Sequence, residues 1–212
     1  MAALQRQSGS RILLAVMAVL GCVLPFSVAA QSPEGCAVAA LRGPAMILRD
    51  GNTIRAQAGT ALRGDDQLVT GRRARLKIAC RDGVEVTIGA DTSISMRMIG
   101  EAGSASRSII DLIGGILRIS LAPQFQRDRL ELRTPTAVAA ARSTAWITEA
   151  GSASTAVFVI AGEVAVSSPG REHTVVLPAG FGTDVAAGAA PREPVRWGPA
   201  RVEQALQRTD DP

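Results

Sequence analysis

His173 is the single histidine of this chain, and a lone imidazole narrows the chemistry within reach. A metal centre built on it would need Cys or carboxylate partners at ligand spacing, and its surroundings in the sequence offer none. The many serines make a Ser-His-Asp relay formally possible. There is no Gly-x-Ser-x-Gly elbow, however, and His173 falls in a turn, Gly170-Arg171-Glu172-His173, so it reads as a surface residue. No GxxxxGK[ST] loop is present to cradle a phosphate. Asp65, Asp66, Asp82 and Asp91 lie near turns and suggest a Ca²⁺ site at first sight. Their side chains account for those turns more simply, by accepting bonds from nearby backbone N–H groups. The expectation is a protein with no catalytic residue, no metal and no cofactor.

The first thirty residues carry an address. Arg6 and Arg11 form a basic start, Ile12 to Leu24 is apolar, Pro25 breaks the run, and Ser27-Val28-Ala29-Ala30 supplies small residues before Gln31. That order predicts a secretory signal peptide over 1–30, cleaved after Ala30, and a periplasmic mature protein. Two alternatives stay open. Ile12 to Ala30 is 19 residues, long enough to span a bilayer if uncleaved, and this would be the only contact with a membrane. Val19-Leu20-Gly21-Cys22 is similar to a lipoprotein box, although Leu20 is bulky for one and the apolar run continues past Cys22.

Removing the leader leaves Cys36 and Cys80. An even pair in an exported chain suggests a disulfide. Cys80 follows Leu76 and Ile78 at period 2, and Cys36 aligns with Val38, so both face inward. Closing the loop between them would stabilise by roughly 3–4 kcal/mol. Two buried free thiols are the alternative. A redox pair is not expected without Cys-x-x-Cys.

The remaining candidate is a charged face. Arg72, Arg73, Arg75 and Lys77 alternate in part with Ala74, Leu76 and Ile78, which makes a half-buried strand with one basic side. It is either a solvated face or edge defended by charge or a docking patch for an acidic protein segment, lipopolysaccharide phosphates or another anionic polymer. Nucleic acid is not an expected partner. Formal net charge is +4, of which Arg6 and Arg11 leave with the leader, and aromatics are 3% with no Tyr, too few for base-stacking platforms. Lys77 is the only lysine, so the arginine bias reads as base composition before phosphate recognition.

The elements that must position these groups are strands. From Cys36 onward, short aliphatic runs alternate with turn residues every 8 to 12 positions. Strands are expected at Ala37–Leu41, Ala45–Arg49, Gln67–Val69, Ala74–Cys80, Val84–Ile88, Ile109–Ser120 and Leu130–Arg133, with a hairpin turn at Asp82-Gly83. Gly100 to Ser106 and Ala122 to Asp128 read as loops. Ala137 to Thr148 reads as a strand in preference to an Ala-rich helix. Ile113 to Ser120 and Ile160 to Ser167 share the pattern Ile, small, Gly, any, aliphatic, any, aliphatic, Ser, at a spacing of 47 residues. Two such units point to stacked hairpins, with chance similarity among Val/Ile/Gly-rich runs as the alternative. Beyond 188, Pro191, Pro194 and Pro199 mark a linker and a short helix through Gln207, presenting Val202, Ala205 and Leu206, with Trp197 placed to pin the linker to a sheet. The fold class expected is all-β, a β-sandwich or jelly-roll-like fold or a short β-solenoid, with a short C-terminal helix. Its divisions are 1–30, 31–188 and 189–212.

On these motifs the chain resembles the FecR domain family. The matching residues are Gly64-Asp65, Thr70-Gly71 and Arg81-Asp82-Gly83. They continue with Gly115 to Ile119, Thr134-Pro135, Arg142-Ser143-Thr144, Gly162 to Val166 and Pro178-Ala179-Gly180, over roughly Cys36 to Gly188. Ser143 stands where the family usually has Gly. The resemblance implies an envelope-located, non-enzymatic binding or signalling module that meets another cell-envelope protein, a receptor or membrane regulator. A structural or surface-polymer-associated scaffold is the alternative. Signalling members also carry a cytoplasmic sigma-binding segment. At most 11 residues precede the hydrophobic run here, so that activity is not expected.

Overall fold

Period-2 alternation is strongest where aliphatic residues must be buried on one side only, and there the expected strands form. The computed structural model describes residues 35–98, 108–123, 130–142, 144–170 and 172–212. The leader with Cys22, the loop at Gly100 to Ser106, most of the loop at Ala122 to Asp128, and Ser143 and Arg171 lie outside the described residues. The elements are β1 (Cys36–Arg42), β2 (Ala45–Arg49), β3 (Asn52–Arg55), β4 (Ala61–Leu62), β5 (Gln67–Thr70), β6 (Arg75–Cys80), β7 (Val84–Ile88), β8 (Ser93–Met98) and β9 (Ser108–Leu121). They continue as β10 (Leu130–Arg133), β11 (Val138–Ala141), β12 (Ala145–Ala150), β13 (Ser154–Ala161), β14 (Glu163–Ser167), β15 (Thr174–Pro178), β16 (Phe181–Ala186), β17 (Val195–Arg196) and one helix, α1 (Pro199–Arg208).

Strand pairing is continuous and open, and it folds into two layers. The front layer runs β4-β1-β6-β7-β9-β12-β13-β16-β17. The back layer runs β3-β2-β5-β8-β9-β10-β11-β14-β15. Strand β9 belongs to both: its first half pairs with β8 and, in parallel, with β10, and its second half pairs with β7 and β12. Inward side chains of both layers form one core. It includes Leu76, Ile78, Val86, Leu117, Ile119, Trp146 and Val157 from the front, and Ile47, Leu68, Ile94, Leu112, Leu132, Val164 and Leu177 from the back. With so few aromatics the core is aliphatic, as composition requires, and Trp146 is its one large ring.

The 47-residue echo has a structural cause. Gly115 has φ +104° and Gly162 has φ +80°, a region that only glycine enters cheaply. At each, the chain passes from one layer to the other: back to front within β9, front to back between β13 and β14. At Gly115 a side chain would also collide with Thr92, whose hydroxyl accepts from the Ile116 N–H. The aliphatics that follow, Leu117 and Ile119 in one copy and Val164 and Val166 in the other, enter the same core.

Three local expectations change. The expected strands omit β3, β4, β8, β16 and β17; all four residues of β3 are exposed, so alternation gives no signal there. The run Ala137 to Thr148 is two strands, β11 in the back layer and β12 in the front, not one. The chain crosses at Arg142–Thr144, where the Thr144 hydroxyl bonds the Arg142 and Glu163 carbonyl oxygens at 2.6 and 3.0 Å. Helix α1 ends one residue later than expected, at Arg208.

Candidate functional site

The outer face of the front layer is where the basic residues converge. One cross-strand row runs Lys77, Thr87, Arg118, Ile147, Phe158, Gly182. The next runs Ile116, Glu149, Ala156, Asp184. Because side chains alternate across a strand, these rows project away from the core. They make a face that is polar and basic at one end and apolar at the other.

The chain covers this face with its own last elements. Trp197 stacks on Phe158 with ring centroids 4.9 Å apart, and Ala205 joins Ile116, Ile147 and Phe158 in a second apolar cluster. Two glycines permit the approach. A side chain at Gly182 would overlap the Trp197 indole, and one at Gly89 would sit 2.8 Å from the Arg208 carbonyl oxygen. Arg201 lies 3.6 Å over the Trp197 ring and pairs with Asp184 at 2.7 Å, while Arg208 pairs with Glu149 at 2.7 Å. Beyond the helix, Asp211 reaches the basic end. Its carboxylate accepts from Lys77 Nζ at 3.1 Å, from the Thr87 hydroxyl at 3.3 Å and from Arg118 at 3.2 Å. Arg75 donates to the Gln207 carbonyl oxygen at 3.1 Å.

The four basic residues singled out in the sequence are thus divided. Arg75 and Lys77 lie under the terminal segment. Arg72 and Arg73 sit in the preceding turn, exposed, with Arg73 at φ +57°. The Lys77 side-chain bond to Asp211 raises the lysine pKa and holds the aspartate below its ordinary range. Burial lowers the Arg75 pKa, and Arg42 and Arg208 add to that effect. These charges define a pH window. Asp211 has a lower pKa when docked, so its contribution is present above the ordinary value of 3.8 and is lost as pH falls through the docked value. Lys77 has a raised pKa, first from Asp211 and in part from Glu85 of β7 at 3.2 Å, which stays in place without the segment; the part due to Asp211 is complete below 10.5 and is lost as pH rises through the docked value. The expected result is a local release of the terminal segment in acid, before global unfolding, seen as faster amide exchange in α1 while β6 and β7 stay protected. Simultaneous loss of protection in all three would contradict it.

The other sequence candidates fall elsewhere. Cys36 and Cys80 are bonded to each other as directly opposed residues of β1 and β6. Asp82 caps its own hairpin by accepting from the Val84 N–H at 3.3 Å, and Gly83 has φ +85°. Gly64 and Asp65 form an exposed turn into β5. The Thr70 hydroxyl donates to the Gly89 carbonyl oxygen at 2.6 Å and accepts from the Thr92 N–H at 3.1 Å, while the Gly71 N–H donates to the Pro44 carbonyl oxygen. Thr134 closes the turn around Pro135 with bonds to Ala137. These family-motif residues therefore hold turns and layer crossings. His173 lies exposed beside Ser168 and Glu172 at a shallow depression of about 450 Å³, open to solvent. Among the described residues no group of three or more His, Cys, Asp or Glu side chains could hold a metal ion, and no helix is long and apolar enough to cross a membrane.

Among the described residues, sequence reasoning missed two buried carboxylates paired with arginine, Asp66 with Arg49 and Glu131 with Arg133. Asp66 is fully buried and takes a two-pronged bond from Arg49, at 2.7 and 2.6 Å. Its place directly after Gly64-Asp65 hides Asp66 among the turn aspartates. Asp211 likewise carries no sequence signal as the ligand of Lys77 and Arg118.

Residues 66–165 match the family model described as FecR protein. Two solved structures of a candidate anti-sigma factor from Parabacteroides distasonis ATCC 8503, at 2.50 and 1.65 Å resolution, share the fold. Their TM-scores are 0.55 and 0.54, with 17% and 19% identity. Each alignment covers 66% of this chain and 64% of the other, so the chain spans less than two thirds of those proteins' length. At such identities the likeness is one of fold. No curated protein matches the chain.

Proposed function

On the premise that the chain carries a FecR region over residues 66–165, we propose that it is a non-enzymatic binding and signalling module of the cell envelope. It is exported, loses its leader after Ala30, and works in the periplasm by contacting another envelope protein. The observation that carries this reading is the outer face of the front layer, whose basic end already holds an acidic protein segment through Lys77, Thr87 and Arg118. The likeness to a candidate anti-sigma factor supports a regulatory role. The Cys36–Cys80 bond supports an oxidising compartment. The family-motif residues shape turns and crossings, which suits a scaffold for recognition.

Cross-linking of the tagged protein in cells, followed by capture and mass spectrometry, tests the reading. Recovery of one receptor or inner-membrane regulator cross-linked through the front layer is the expected result. Recovery of cell-wall or surface-polymer components alone would replace it with the scaffold role. The amino terminus of the recovered protein should be Gln31, and a start at Met1 or a lipidated Cys22 would refute export by cleavage after Ala30.

A further inference from the structure

The front layer's outer face is filled by the chain's own last residues. Helix α1 is 10 residues long, has no side-chain N-cap and itself buries Ala205, with Trp197 before it and Thr209 after it buried as the segment's anchors. Helices this short are marginal on their own and depend on the surface beneath them. The charged contacts of the segment are open to water: Asp211 is 54% exposed, Arg201 44% and Arg208 39%. Exposed pairs of this kind are individually weak and screened by salt. The connection from β16 to α1 carries Pro191 and Pro194, and β17 adds a two-residue pairing only. The face beneath is better made than its cover. Lys77, Thr87 and Arg118 are held on three neighbouring strands, and Phe158, Ile147 and Ile116 lie beside them.

We infer that this face is the docking site for an acidic, partly helical segment of a partner protein, and that α1 with Asp210-Asp211 is a built-in competitor occupying it in the partner's absence. The inference rests on the binding role proposed above and names the surface and the partner's chemistry. The chain's own segment shows what fits: an apolar helical stripe over Ile147 and Phe158, followed by carboxylates over Lys77 and Arg118. Two exposed arginines, Arg72 and Arg73, sit in the turn before β6 and pair with neither Asp210 nor Asp211, so a partner with carboxylates that reach them gains over the resident segment.

The test uses the full chain and a fluorescent peptide of residues 196–212 added in trans. The resident segment is tethered, so its effective concentration masks the site in the wild type. Loosening it with Asp210→Asn and Asp211→Asn together raises the fraction of open face, and apparent affinity rises in proportion. The peptide is expected to bind the loosened chain at least tenfold more tightly than the wild type. Adding Lys77→Glu and Arg118→Glu should abolish that binding, and a peptide carrying Asp210→Lys and Asp211→Lys should restore it, which shows that the quadruple variant is folded. Equal binding by wild type and loosened chain, or binding indifferent to the charge reversals, would overturn the inference. So would α1 amides that exchange as slowly as those of β6 in the wild type. Because the probe is the chain's own segment, these outcomes do not depend on any partner being recovered in cells. A cross-linked partner mapped to another surface would leave the binding role standing and remove this site.

Discussion

Asp66→Asn is expected to cost on the order of 2 kcal/mol of folding stability at neutral pH, because it breaks the charge-assisted bonds between a buried carboxylate and a partly exposed arginine while leaving the cation in place. Asp66 is fully buried. Its carboxylate accepts from Arg49 Nε and Nη2 at 2.7 and 2.6 Å and from the Arg63 N–H at 2.8 Å. The same arginine donates to the Ala61 carbonyl oxygen at 2.8 Å, and the Asp66 carbonyl accepts from the Met96 N–H. One side chain thus ties the end of β2, the β4 edge and the start of β5 together, at the point where the chain has just crossed from the front layer to the back. Asparagine keeps the shape but presents an NH₂ group to a guanidinium and cannot accept at both positions.

The pH dependence of that loss has a definite sign. Burial by itself would raise the Asp66 pKa, but the Arg49 bonds, the Arg63 N–H and the positive charge around it outweigh burial and hold it below the ordinary 3.8. A carboxylate whose pKa is lower folded than unfolded contributes stability above the unfolded value, and loses that contribution as pH falls through the folded value. The gap between wild type and Asp66→Asn in urea unfolding should therefore be widest near neutrality and close below pH 3.8. Adding Arg49→Met to the variant should recover part of the loss by removing the stranded charge. A gap that stays constant with pH would mean that the pair does not carry the effect.

How much of this could be read from the sequence follows from how local each cause is. Leu76, Ile78, Val84, Val86 and Ile88 alternate with polar residues, and β6 and β7 formed where that alternation placed them. The same rule pointed Arg75 and Lys77 outward. It fails for β11, whose four residues are all buried, so that no face is distinguishable and the break before β12 is hidden. It fails equally for β3, where every residue is exposed. The candidate face was half legible for a related reason. The strand that carries Lys77 announces itself, but its ligand Asp211 lies 134 residues away, and no periodicity links the two. Arg49 and Asp66 are only 17 residues apart, yet they meet because β2 and β5 are neighbours in the back layer, a fact of topology. Glycines were legible as turns. Their use as layer crossings depends on there being two layers to cross.

Reduction of the Cys36–Cys80 bond is expected to have the other large effect, about 4 kcal/mol for a loop closed across 44 residues when native strain is small. The structure explains why the folded state should survive it. β1 pairs with β6 from Cys36 to Arg42 and with β4 at Cys36 and Ala37, and Val38 packs into the shared core, so the strand is held by more than its first residue. The bond therefore acts mainly on the unfolded chain, which without it gains the freedom to separate β1 from β6. That origin predicts two signatures in urea. The midpoint falls, and the slope m rises, since a chain without the cross-link exposes more surface when it unfolds. A double variant, Cys36→Ala with Cys80→Ala, should match the reduced wild type in slope and lie slightly below it in midpoint, because Cys36 is buried and its replacement leaves a small void. A fall in midpoint with unchanged slope would assign the loss to packing in the folded state instead. An unchanged midpoint on reduction would show that β1 pairing alone secures this end of the front layer.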